Sequence, residues 1–144
     1  MPMALWENQN ALKALYAQCV ETVCRAYDLT RMELHVLLFL ANNPSLDTAT
    51  DIVETRHLTK SHVSQAIQSL ERRGYLSRLY RPGNRKTAHL QLNDSAKPII
   101  ESGRAQQAQF QAILFRGVPE ADCAALRRLI AHVLANVRSA LKEE

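Results

Sequence analysis

The stretch from Thr59 to Arg73, TKSHVSQAIQSLERR, constrains this chain more than any other. At helical spacing Val63, Ala66, Ile67 and Leu70 share one face. Lys60, Ser61, His62, Ser64, Gln65, Gln68, Ser69 and Arg72 occupy the other, and none of them is acidic. Each can hydrogen-bond a base edge or a phosphate. Thr59 is placed to cap the helix, its hydroxyl accepting a free backbone N–H of the first turn. Gly74 is placed to end it in a left-handed residue. A short helix with a dry back and a donor-rich front is what a DNA-recognition helix requires. The plainer alternative is the solvent side of an ordinary amphipathic helix.

The local charge favours the first alternative. From Arg56 to Lys86 there are eight bases (Arg56, Lys60, Arg72, Arg73, Arg78, Arg81, Arg85, Lys86) and one acid, Glu71. That segment is therefore +7 in a chain of net charge +4, which leaves −3 for the rest. A basic middle within a slightly acidic protein is the footprint of a polyanion-binding surface.

Composition excludes several other classes. At 144 residues the chain is the size of one domain, and 47% hydrophobic with 22% charged residues is ordinary for a globular protein. No apolar run approaches the roughly 18 residues of a membrane span. The start, MPMALWENQN, carries an acid and no secretory pattern. Cys19, Cys24 and Cys123 are an odd set without metal-ligand spacing, which points to a reduced, cytoplasmic protein. No nucleophile elbow, P-loop or zinc-protease motif occurs, and the five histidines are scattered. No enzyme activity, catalytic residue, metal or cofactor is expected.

Taken in order, Leu5 to Tyr27 is predicted as one long helix, with Leu12, Leu15, Tyr16, Cys19, Val20, Val23, Cys24 and Tyr27 forming a broad apolar stripe. A second helix starts at the Thr30-x-x-Glu33 capping box. It carries Leu34, Leu37, Leu38 and Ala41, and stops at Asn42-Asn43-Pro44. Thr48-x-x-Asp51 opens a short third helix, and a turn through Arg56-His57-Leu58 leads to the Thr59 helix. Helix, tight turn and donor-rich helix form a helix-turn-helix, whose second member enters the major groove. Leu76–Arg81 and Thr87–Leu92 then read as two strands joined by the cationic turn Pro82-Gly83-Asn84-Arg85-Lys86. A fifth helix is expected from Asn93-Asp94-Ser95 to about Phe115, interrupted near Pro98, with a polar middle that suits a connector. The last helix runs from about Glu120 to Lys142.

The fold expected is mainly α with a small β-hairpin wing (α+β). Both terminal regions carry wide apolar stripes that the helix-turn-helix does not need for its own core. A homodimer would cover them and set two recognition helices about one DNA turn apart.

Leu58-Thr59-Lys60-Ser61-His62-Val63-Ser64-Gln65, Leu70-Glu71-Arg72-Arg73-Gly74-Tyr75-Leu76, Arg81-Pro82-Gly83-Asn84-Arg85-Lys86 and Leu90-Gln91-Leu92 together resemble the multiple-antibiotic-resistance regulator (MarR) family of winged helix-turn-helix proteins. The likeness runs in order along nearly the whole chain. It implies one domain over 1–144, with a DNA-binding lobe at about 30–92 and dimerisation helices at about 5–27 and 94–142. It further implies an obligate homodimer acting in transcriptional control, most often repression of an operator, frequently relieved by a small-molecule effector. Three positions depart from the family pattern. Asn84 stands where Asp is usual, leaving an amide to hydrogen-bond Arg85. His57 stands where Gly is common. The helix after the wing begins Asn93-Asp94-Ser95-Ala96.

Roles follow from side-chain chemistry. Gln65 is the first candidate for base readout, since its amide pairs bidentately with adenine, and Ser61, His62 and Ser64 are next. Lys60, Thr59, Gln68, Arg72, Arg78 and Lys86 are backbone candidates, as are Arg73 and Arg81, although some of these arginines could pair with Glu71 or Glu54. Arg85, with Asn84, would lie at the minor groove. By family analogy a ligand pocket would lie near Tyr16, His35 and Phe39. Two alternatives stand beside this reading. One is a winged helix used only for protein–protein contact, which has no need of so basic a middle. The other is a redox sensor built on the first-helix cysteines. Cys19 and Cys24 both fall in an apolar stripe, where free cysteine is usually an inert small hydrophobe.

Overall fold

The computed structural model describes residues 3–142; residues 1, 2, 143 and 144 of the expected 1–144 domain lie outside them. Its elements are α1 (Ala4–Glu7), α2 (Gln9–Tyr27), α3 (Arg31–Asn42), α4 (Ala49–Arg56), α5 (Lys60–Arg72), β1 (Leu76–Arg81), β2 (Asn84–Leu92), a 3₁₀ turn (Asp94–Ala96), α6 (Lys97–Leu114) and α7 (Glu120–Lys142). The chain divides into two compact units, Met1–Phe110 and Gln111–Glu144.

Within the first unit, α3 is the centre. Leu34 and Val36 through Leu40 are all buried, so its apolar surface goes well beyond the single stripe expected. Packed on it are Val20 and Val23 of α2, Ile52 of α4, Val63, Ile67 and Leu70 of α5, Leu76 and Leu90 of the hairpin, and Ile99. Both expected capping boxes form. Thr30 and Glu33 exchange backbone and side-chain hydrogen bonds at 3.0 and 3.1 Å, and Thr48 and Asp51 do so at 3.1 Å. Each satisfies two N–H groups that the start of a helix leaves open.

Several expectations need correction. The first helix is two, because the chain breaks at Asn8, whose side-chain amide donates to the carbonyl of Ala4 at 2.7 Å. Strand β2 begins at Asn84 rather than Thr87, so only Pro82 and Gly83 separate the strands. The ladder is antiparallel, pairs Leu76 with Leu92, and slips between Leu79 and Arg81. Pro98 does not interrupt α6: it lies in the first turn, where a proline costs no intrahelical hydrogen bond.

Nor is the polar middle of α6 a bare connector. Gly103 is buried, and a Cβ there would sit 2.8 Å from Leu38 Cδ2, so the missing side chain lets α6 close onto α3. Next to it Arg104 donates to the Ala41 carbonyl at 3.1 Å and to Asn42 Oδ1 at 3.2 Å. A polar stretch is what the open carbonyl end of α3 requires.

In the second unit α7 covers Glu120–Lys142, as its spacing predicts. No helix among the described residues is long and apolar enough to cross a membrane.

Candidate nucleic-acid interface

α4 ends at His57, which takes the left-handed conformation at φ 52°. That single residue turns the chain so that α5 starts after Leu58 and Thr59. Histidine accepts the conformation at a modest steric cost where the family pattern has glycine. α5 is amphipathic as its spacing requires: Val63, Ala66, Ile67 and Leu70 are buried, while Lys60, Ser61, His62, Ser64, Gln65, Gln68 and Arg72 are exposed. Gly74 ends the segment at φ 79°, as expected. Base-readout candidates Ser61, His62, Ser64 and Gln65 thus stand together on one open surface.

Thr59 behaves differently from expectation. Its hydroxyl makes no capping bond; it is hydrogen-bonded to Nδ1 of His62 at 2.6 Å. That contact orients the imidazole and leaves Nε2 as the ring nitrogen available to an outside partner. The N–H groups of the first turn, uncapped by any described side chain, carry the partial positive charge of the helix dipole.

On the hairpin, Asn84, Arg85 and Lys86 are all exposed. Asn84 does not hydrogen-bond Arg85 as anticipated. Its Oδ1 accepts the backbone N–H groups of Lys86 and Thr87 at 3.1 and 3.2 Å, which stiffens the backbone under Arg85 and leaves the guanidinium free of it. The base of the hairpin is fastened to the loop before α4. Leu90 N–H donates to the Asp47 carbonyl, and His89 Nδ1 lies 2.8 Å from Asp47 Oδ1.

Seven of the eight bases of this segment fall into two groups. Among the described residues, Lys60, Arg72, Arg81, Arg85 and Lys86 make no ion pair. Arg78 lies 3.3 Å from Glu71, the pairing that competes with a role on DNA. Arg73 folds back onto the protein surface. It donates to the carbonyls of Tyr27 and Asp28, both at 2.7 Å, stands 3.7 Å from Glu33 Oε2, and covers the ring of Tyr75.

Glu33 is the buried acid at this junction, 6% exposed. Its carboxylate accepts the Thr30 N–H at 3.0 Å and the Ser69 hydroxyl of α5 at 2.8 Å. Burial pushes its pKa up, but these hydrogen bonds and the Arg73 guanidinium outweigh burial and hold it below the usual carboxylate value. Nothing in the linear sequence marks this contact, which joins residues 36 apart.

The candidate pocket residues are only partly gathered. Tyr16 and His35 face each other at 5.8 Å between ring centroids, and Phe110 meets Tyr16 edge-on at 5.3 Å. Gln107 donates to the Tyr16 hydroxyl at 3.1 Å. Phe39 instead is 2% exposed, inside the core, with the Arg56 guanidinium 5.6 Å from its ring centre. Phe110 and Gln107 carried no sequence signal, because helical spacing says nothing about which helices meet. Desolvation, with repulsion from Arg56 and Arg31, lowers the pKa of His35.

All three cysteines are free thiols. Cys24 is buried, and burial followed by the Glu21 carboxylate raises its pKa. Both causes favour the protonated thiol at Cys24.

Comparison with known proteins extends these observations. The model of the MarR family matches residues 27–86, from the end of α2 to the wing tip. An uncharacterised HTH-type transcriptional regulator of Bacillus subtilis, YdgJ, is 26% identical over 116 residues. That alignment covers 81% of this chain and 66% of YdgJ, just under two thirds of its length. The crystal structure of the transcriptional regulator PA3341 superposes with a TM-score of 0.79 at 20% identity, over 94% of this chain and 96% of that one. A MarR-family regulator of Listeria monocytogenes, solved in complex with a 26mer DNA, gives 0.77 at 16% identity, over 92% and 87%.

Proposed function

We propose, from the match of residues 27–86 to the MarR family model, that this chain is a member of that family: a cytoplasmic, sequence-specific DNA-binding transcriptional regulator, a repressor that occupies a palindromic operator as a homodimer. The observation that carries the proposal is the surface of α5. Seven exposed polar or basic side chains cover a face whose one acid, Glu71, is paired with Arg78 at 3.3 Å, and four buried residues hold that face rigid from beneath. A face of that kind suits a groove floored by base edges and walled by phosphates. The DNA complex of the Listeria monocytogenes structure, which shares this fold, adds support.

In this reading Gln65, Ser61, Ser64 and the Thr59-oriented His62 face base edges. Lys60, Gln68, Arg72 and Lys86 hold phosphates, aided by the uncapped start of α5. Arg85 reaches the minor groove from a tip that Asn84 keeps stiff. Arg78 divides its charge between Glu71 and the DNA backbone.

The dimer is supported by α7. Leu129, Ile130, Val133, Leu134, Val137 and Leu141 recur along the helix and are between 44% and 65% exposed, an apolar surface that soluble monomers rarely leave open. Helices 94–142 and 5–27 form the dimerisation region in this proposal. A small aromatic effector, if the repressor is released by one, would sit at Tyr16, His35 and Phe110, where stacking faces and a tyrosine hydroxyl converge.

The experiment is enrichment of duplexes from a random pool, followed by anisotropy titration at several salt concentrations. A palindrome with half-sites about one helical turn apart and a steep salt dependence is expected. Failure to enrich any sequence would return the chain to the protein-contact alternative.

A further inference from the structure

Arg73 belongs to the basic segment that sequence alone assigns to DNA, yet its guanidinium, though at the surface, is engaged by the protein's own backbone. Two of its nitrogens bond the Tyr27 and Asp28 carbonyls at the end of α2, both at 2.7 Å. Asp28 is the left-handed residue that ends α2, at φ 52°. The same Nη1 stands 3.7 Å from Glu33, which holds Ser69 of α5 at 2.8 Å. The exit of α5, the end of α2 and the start of α3 are therefore tied at one point by a planar fork with two carbonyl acceptors and a carboxylate as ion-pair neighbour. Arginine suits this geometry and lysine does not, because a single ammonium nitrogen does not reproduce a planar fork that places one nitrogen on each carbonyl.

We propose that Arg73 is a positioning residue for DNA reading: it locks the last turn of α5 to the end of α2, and so sets the angle at which the α5 face meets base edges, without contacting phosphate. The inference rests on the DNA-binding reading above. A base contact is geometrically exacting, whereas a phosphate contact made by a flexible lysine or arginine tolerates small rotations of the helix. Loosening the clamp should therefore erode discrimination between sequences while leaving the number of neutralised phosphates unchanged.

Arg73→Ala and Arg73→Lys test this in the full-length protein, against an enriched duplex and a scrambled one. Both variants should lose about tenfold in the ratio of specific to non-specific affinity, with an unaltered salt slope. Amide exchange across 60–72 should accelerate about tenfold or more in both, reporting a loosened α5 without any DNA present. A salt slope smaller by about one in Arg73→Ala, with the ratio intact, would make Arg73 a phosphate ligand and overturn the proposal. So would an Arg73→Lys variant that matches the wild type in exchange and discrimination, since lysine replaces a phosphate contact but not the clamp. Should Arg73→Ala fail to fold, Arg73→Lys alone decides. If the wild type itself selects no sequence, the DNA reading fails, and the exchange rates still show whether the clamp exists.

Discussion

Gln65 and Lys60 lie on the same exposed face of α5, yet in the proposed reading their chemistry gives them different work. An amide offers a donor and an acceptor in one plane and recognises adenine, at about 1–3 kcal/mol per bidentate pair. An ammonium is a mobile point charge that suits phosphate. Gln65→Ala is expected to relax sequence preference more than it weakens total affinity. Lys60→Ala should weaken all duplexes alike and flatten the salt slope by about one. Identical behaviour of the two variants in anisotropy titrations would refute this division. Glu33 makes a second residue-scale prediction. Its pKa in the folded protein is depressed from the ordinary 4.5, so the ionised form stabilises the fold above that pH. The contribution is lost as pH falls through the lower, folded-state value. Glu33→Gln should cost about 1–3 kcal/mol at neutral pH, because Ser69 and Arg73 lose a charged acceptor. Its stability should also fall less steeply than the wild type's below about pH 4.5, as acid titrations followed by circular dichroism would show.

Between α3 and α6 the contact depends on an absent side chain. A Cβ at Gly103 would come within 2.8 Å of Leu38 Cδ2, in a core with little room to yield. Gly103→Ala gains up to about 1 kcal/mol in helix propensity but forces overpacking that costs about 1–3 kcal/mol. A net loss of about 1 kcal/mol in urea unfolding is expected, with Leu38→Val in the same protein recovering part of it. A stabilised Gly103→Ala variant would mean that α6 rides more loosely on α3 than the structure shows.

For the whole molecule the decisive feature is the apolar stripe of α7. Charges placed on it should break a dimer without disturbing the reading lobe. In analytical ultracentrifugation Val133→Glu/Val137→Glu is expected to sediment as a monomer with unchanged helix content. Its affinity for a palindrome should drop at least tenfold, because two half-sites bound by one particle gain from effective concentration. A double variant that remains dimeric would place the interface elsewhere. Here too the aromatic cluster of Tyr16, His35 and Phe110 finds its setting, since it joins α2, α3 and α6 rather than belonging to any one of them.

Much of this was legible in the residues themselves, where the physics is local. The capping boxes at Thr30 and Thr48, the stop at Gly74, the two faces of α5 and the extent of α7 follow from spacing within a few residues. Short-range hydrogen bonding and helical period set all of them. Decisions between distant residues were not legible. Thr59 left its capping role for His62, Phe39 turned into the core, and Asn84 bonded its own backbone. Arg73, one of eight bases in a cationic run, reached back to Tyr27, Asp28 and Glu33. An arginine beside a recognition helix has the same sequence context whether it faces DNA or the protein. Only the packing of α2 and α5 on α3 brings two open carbonyls and a buried carboxylate within its reach.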